Sequence, residues 1–345
     1  MNKLFSSFSQ TKALLWKEQI DAILSGKLKA PIGAIIDLTN KCNLGCYWCN
    51  AKFYRDDSTL DIHHVMEVID MLSAWKVKSV CYAGGGEPSM HPGFDLAVDY
   101  AARNGLEVGI STNGILLNNL TIQSIGNYAR FCGFSVDAGT VQTWSAVKCT
   151  NLKNWSRMLE NAKELSKYDS LDLTYKFMII PENQHEIFVA CKLARRNGFD
   201  NFYCRIPAFE NVPGVSSIVG YDSNLINSQI RKALKYDSEK FKVYANLARA
   251  IDFKFQKRLA FKQCKATPLA AVFCADGWCY PCIDLRSRLE YRMCKHLDLI
   301  DYWGSQKHLK MLESIDISRC PRCAFSHYNE AIEAYENDYM FKYFP

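Results

Sequence analysis

Six short apolar runs, each set apart from the next by a stretch with helical periodicity, constrain this chain more than any other feature. The runs are GAIIDL (33–38), VKSVCYA (77–83), LEVGIST (106–112), FCGFSVD (131–137), LTYKFMII (173–180) and NFYCRIP (201–207). Each is short and dominated by apolar, β-branched or aromatic residues, the pattern of a strand buried on both faces. Between the first five lie LDIHHVMEVIDMLSAW, FDLAVDYAARNG, LTIQSIGNYA and NLKNWSRMLENAKELSKY, and HEIFVACKLARRNG separates the last two. Gly105 and Gly198 each follow an Arg-Asn pair, where a left-handed residue would close a helix. Strands alternating with helices build βαβ units and a parallel sheet. Six units predict an α/β fold, a partial (β/α)6 TIM-like barrel that is open rather than closed. Ligands of such a sheet sit at the carboxyl ends of its strands.

An amphipathic helix at about 9–25 precedes the first strand, making 1–29 a helical extension and 30–210 the barrel core. Residues 211–259 read as a helical, polar linker without a cysteine, and 260–345 as a smaller cysteine-rich module. The N-terminus, MNKLFSSFSQTKALLWKEQI, has no long apolar core and carries Glu18, so it does not read as a secretion signal. No apolar run approaches the ~20 residues that span a bilayer. These features predict a cytoplasmic protein with no membrane partner. The formal charge of +6, from 42 basic and 36 acidic residues, is spread without a dense Lys/Arg run, which argues against a nucleic-acid partner. Fifteen cysteines in a chain of this kind point to metal binding or redox work rather than disulfides. Cys81, Cys132, Cys191 and Cys204 lie within apolar stretches and read as small core residues.

The first strand runs into DLTNKCNLGCYWC (37–49), which places Cys42, Cys46 and Cys49 in one short loop. Three thiolates at this three-then-two spacing can converge on one cubane, since thiolates are the preferred ligands of iron–sulfur clusters. Three ligands leave one iron of a four-iron cluster open to a small chelating molecule. A zinc knuckle would need a fourth Cys or His close by, and none is evident.

This loop resembles the CxxxCxφC motif of the radical S-adenosylmethionine (SAM) superfamily, with Trp48 at the aromatic position. The resemblance runs through about residues 30–210. It implies a [4Fe-4S] cluster on Cys42, Cys46 and Cys49 that binds the amino and carboxylate groups of SAM. Reductive cleavage of SAM then yields a 5′-deoxyadenosyl radical that abstracts a substrate hydrogen, with an electron supplied by a partner such as flavodoxin or ferredoxin. Three further segments agree with it. Gly84-Gly85-Gly86-Glu87-Pro88 follows the second strand and resembles the family's GGE motif, in which Gly85 and Gly86 allow close approach and Glu87 accepts from the SAM ammonium. Ser111 and Asn113 follow on the third strand end, and Ser135 and Asp137 on the fourth, where relatives bond the ribose and carboxylate. Arg205 on the sixth strand is a candidate for the SAM carboxylate, because a guanidinium suits bidentate pairing; a structural arginine is the plain alternative. No catalytic acid, base or hydrogen donor stands out.

The C-terminal segment CKATPLAAVFCADGWCYPC (264–282) matches the CX9–15GX4C opening of the SPASM and twitch extensions, which hold auxiliary clusters. A strand, an ADG turn and a second strand form a hairpin that brings Cys264 and Cys282 together. With Cys320 and Cys323 they complete a four-cysteine set for an auxiliary [4Fe-4S] cluster; structural zinc would accept the same donors. No cysteine follows Cys323, so the module resembles the shorter twitch domain and leaves Cys274, Cys279 and Cys294 without a role. The expected activity is oxidation of a small polar metabolite, such as a sugar, aminocyclitol or nucleotide derivative, with the auxiliary cluster taking the second electron. The alternative is maturation of a ribosomally synthesised peptide.

Overall fold

The computed structural model describes residues 12, 15–46, 48–53, 56–206, 220–247, 261–286, 288–320, 323 and 325–336. After helix α1 (Lys17–Leu24) the chain alternates strictly: β1 (Gly33–Ile36), α2 (Ile62–Ala74), β2 (Ser79–Tyr82), α3 (Phe94–Arg103), β3 (Glu107–Thr112), α4 (Asn119–Tyr128) and β4 (Ala129–Ser135). Two helices, α5 (Val141–Lys148) and α6 (Lys153–Leu165), then lead to β5 (Asp172–Met178). The alternation continues through α7 (Ile187–Arg196), β6 (Asn201–Arg205), α8 (Ser223–Leu234) and β7 (Lys242–Ala245). A hairpin, β8 (Ala270–Phe273) and β9 (Cys279–Tyr280), precedes α9 (Leu299–Tyr302), α10 (Gln306–Glu313) and α11 (Ser326–Glu336).

The strands form one sheet in the order β7-β6-β5-β4-β3-β2-β1-β8-β9, parallel except for the final β8–β9 pair. A strictly sequential order with right-handed crossovers sends every connecting helix to the same face. The opposite, concave face is left for ligands, in an open barrel. Alternation along the strands decides what each face carries. Ile36, Tyr82, Ile110, Phe134, Tyr175, Phe177 and Phe202 are at most 1% exposed and pack under the helices. Burying each such side chain contributes about 1.5–3 kcal/mol.

All six predicted strands are present within two residues of their expected ends, although Pro207 lies outside the described residues. Gly105 and Gly198 close α3 and α7 at φ +81° and +78°. The expected helix at 9–25 is present as α1 alone, with 9–11, 13 and 14 outside the described residues. The span expected to be helical throughout contains α8, but it also contains β7, a seventh parallel strand on β6. Its core, KVYA, is only four residues long and begins with a lysine, so it lacks a strand's apolar run. The C-terminal hairpin forms as expected, and β8 joins the barrel sheet directly, with Gly33 opposite Ala270 and Ile36 opposite Phe273.

Candidate active site

The loop after β1 lies across the carboxyl ends of the strands, and its backbone rests on the glycines after β2. A Cβ on Gly84 would fall 1.5 Å from the Asp37 carboxylate, and one on Gly85 2.0 Å from Asn40 Oδ1. One on Gly86 would fall 2.1 Å from the Lys41 carbonyl. The amides of Gly86 and Glu87 donate to the carbonyls of Thr39 and Lys41 at 2.9 and 2.8 Å. These glycines are therefore required by the cysteine loop itself, before any ligand is considered.

Glu87, 4% exposed, ties the next loop in. Its carboxylate accepts from Thr112 Oγ1 at 2.5 Å, the Asn113 amide at 2.7 Å, Ser89 Oγ at 2.7 Å and the Ser89 amide at 3.2 Å. Burial pushes its carboxyl above the usual range and these donors pull it back. Asn113 in turn donates to Asn43 Oδ1 in the cysteine loop at 2.7 Å. Three strand-end loops are thus joined into one unit.

Cys42, Cys46 and Cys49 are half-buried in that loop, and the Cys49 amide donates to the Cys46 carbonyl. Burial pushes the Cys46 thiol up to about 11; Lys148 opposes this, while Asp137, Cys49 and Cys42 add to it. The three sulfurs are close enough to feel one another. Lys148 is a candidate site residue that the sequence did not bring forward. It is 3% exposed, donates to Asp137 Oδ2 at 2.5 Å and sits 5.2 Å from the Trp48 ring centroid. Its carbonyl accepts from the Gly45 amide. Asp137, at φ +60°, also accepts from the Met178 amide at 2.6 Å, so its carboxylate is committed to the protein. Only Thr140, the N-cap of α5, signalled the helix that carries Lys148.

Ser111 and Ser135 are half-buried on the concave face, and Ser111 Oγ accepts from Lys176 Nζ at 2.6 Å. Arg205 lies on the same face at the exposed end of β6.

The C-terminal thiols also gather. Cys264, Cys282 and Cys320 share one apolar cluster, and the charge of Cys264 acts on Cys282, Cys320 and Cys323. Burial pushes Cys320 up to about 11 and Cys323 to about 12. Asn329 on α11 braces the set, donating to Cys264 Sγ at 3.9 Å and Cys323 Sγ at 3.7 Å. Its Oδ1 accepts from the amides of Lys265 and Ala266 at 2.6 and 2.8 Å. Arg286, four residues after Cys282, donates to Asp37 at 2.9 Å and links this site to the base of the first loop. Cys274, Cys279 and Cys294 are buried beside it, with the Cys279 amide donating to the Cys294 carbonyl. Among the described residues no three Cys, His, Asp or Glu side chains close tightly enough to grip a single metal ion. Donor chemistry supports cluster binding in both places: three soft thiols in one loop, and four thiols with an amide donor to two sulfurs.

An open parallel barrel with a three-thiol loop locked against a Gly-rich loop at its strand ends is the arrangement that the sequence resemblance implied. Residues 36–194 match the profile of the Radical SAM superfamily, and the chain carries that domain. An S-adenosylmethionine-dependent nucleotide dehydratase from Selenomonas ruminantium is 32% identical over 139 residues, 39% of this chain and 47% of that protein. The mycofactocin maturase MftC of Mycobacterium ulcerans is 39% identical over 92 residues, 26% of this chain and 25% of that protein. The match spans less than half the length of either relative. Among solved structures, Streptococcus suis SuiB bound to the precursor peptide SuiA is similar at a TM-score of 0.67 and 16% identity. It covers 91% of this chain and 74% of its own, a likeness of fold.

Proposed function

We propose that the chain is a radical SAM maturase acting on a ribosomally synthesised peptide, the alternative named from the sequence rather than the small-metabolite oxidation placed first. The supporting observation is the 39% identity to MftC over 92 residues. A second reading, action on a nucleotide-like metabolite, is favoured by the longer 32% match to the nucleotide dehydratase.

Cys42, Cys46 and Cys49 would hold a [4Fe-4S] cluster and Cys264, Cys282, Cys320 and Cys323 an auxiliary one. When bound, the first cluster and SAM would supply the radical chemistry that removes a hydrogen atom from substrate. The residues of the chain position and shield this chemistry. Lys148, fixed by Asp137, sets a buried positive charge beside Cys42 and Cys46, where it would stabilise thiolates that hold the cluster. Glu87 and Asn113 hold the loops that would meet the amino group and ribose, and Trp48 covers the Lys148 ammonium. The side chains on the concave strand ends, Ser111 and Ser135, face the space left for SAM and substrate.

Mass spectrometry of cells expressing the protein with short precursor peptides encoded beside its gene tests the reading. A peptide mass change absent from a Cys42→Ala/Cys46→Ala/Cys49→Ala strain supports it. A change confined to a small metabolite overturns it in favour of the second reading.

A further inference from the structure

The concave face carries two cations on neighbouring strands. Lys176 on β5 and Arg205 on β6 point the same way, since Lys176 pairs with Tyr203 and Arg205 stands two residues further along. Among the described residues neither joins an ion pair, although the charge of Asp137 reaches Lys176 at longer range. Lys176 crosses the barrel rather than reaching for solvent: a Cβ on Gly133 would lie 2.8 Å from its Cδ and 2.9 Å from its Cε. Glycine at 133 is what lets the lysine lie flat over β4 and place Nζ 2.6 Å from Ser111 Oγ. An ammonium has three donors, and among the described residues this one is seen to use one of them, on a hydroxyl. Burial, and the charge of Arg205, both weaken its hold on its proton, while Cys81 on β2 opposes them. A cation in that setting gains most from an anion brought in by a ligand.

We infer that the substrate presents an oxyanion, a carboxylate or a phosphate, that seats between Lys176 and Arg205 on the concave face. The inference rests on the reading above only in taking the Ser111 strand end as the SAM side of the barrel. It makes Arg205 a substrate residue rather than a partner of the SAM carboxylate. A carboxylate would come from an acidic residue of a peptide, a phosphate from a nucleotide.

Titration calorimetry on the reconstituted, SAM-loaded protein tests this with two probes, sodium pyrophosphate and an acetylated tetra-glutamate peptide. One of them should bind. Lys176→Met and Arg205→Gln should each weaken it roughly tenfold or more, the loss of one charge-assisted hydrogen bond, and Lys176→Arg should restore part of it. Preference for pyrophosphate or for the peptide assigns the source of the anion. SAM affinity, measured separately, should fall far less than probe affinity. Equal loss of both would mean that the cations serve SAM itself and would overturn the inference, as would probe binding indifferent to both variants, or no binding by either probe. A wild-type protein that fails to bind SAM would sink the functional reading instead.

Discussion

Replacing Lys148 with Met should cost far more stability than replacing an exposed lysine, and replacing Asp137 as well should return most of the loss. Both side chains are 3% exposed and 2.5 Å apart. After Lys148→Met the Asp137 carboxylate keeps the Met178 amide but stays in the core with an uncompensated charge. Removing one partner of a buried pair typically costs about 3–5 kcal/mol. At roughly 2–4 °C per kcal/mol for a domain of this size, the single variant should melt roughly 6–20 °C lower. In Lys148→Met/Asp137→Asn no charge is stranded, and the asparagine carbonyl can still accept the Met178 amide. The two single losses should therefore be strongly non-additive, with the double variant more stable than Lys148→Met alone. Thermal and urea unfolding of the purified variants measure it, with Lys163→Met on the exposed side of α6 as a control expected within about 0.5 kcal/mol of wild type. If the two single losses simply add, the residues do not act as a pair and the argument for a held cation beside the cysteines fails.

Glu87→Gln turns an amide toward four donors, so it should lower stability by about 1–3 kcal/mol and weaken SAM binding together; an unchanged Tm would show that the loop unit does not depend on the carboxylate. Cys320→Ala should reduce iron in the reconstituted protein from about eight to about four, in keeping with two four-iron clusters. It should leave 5′-deoxyadenosine release intact while modified product disappears, once circular dichroism confirms folding; product at the wild-type rate would reduce the module to a structural cap. His296 and His308 are each held down to about 4, mainly by burial and, for His296, next by the charge of His64. Both bind protons more readily when unfolded, so stability is full above about pH 6.5 and is lost as pH falls through 4. His296→Phe should flatten the Tm profile across that window, and an equally steep profile would refute the assignment.

Much of the fold was legible because its signals are local. Each of the first six strands is an apolar run between amphipathic helices, and the helix ends carry their own marks, as at Gly105 and Gly198. The cysteine spacing and Gly84–Pro88 likewise sit in contiguous sequence. What escaped depends on partners far away along the chain. Arg286 meets Asp37 across 249 positions, Asn329 reaches back to Cys264 across 65, and the docking of β8 on β1 has no signature in either strand alone. Lys148 escaped for a different reason: α5 is short, and Gln142, Thr143 and Ser145 blur its apolar face. The glycines after β2 stand out in the sequence, and the nearest body they accommodate is the cysteine loop itself.

The central claim rests on three thiols, and one assay addresses it directly. Wild type and the Cys42→Ala/Cys46→Ala/Cys49→Ala variant, reconstituted anaerobically with the C-terminal cysteines intact, are incubated with SAM and dithionite, and 5′-deoxyadenosine is quantified by liquid chromatography. The wild-type protein should release it and the variant should release none. Undiminished release from the folded variant would contradict the assignment of the SAM-cleaving cluster to this loop.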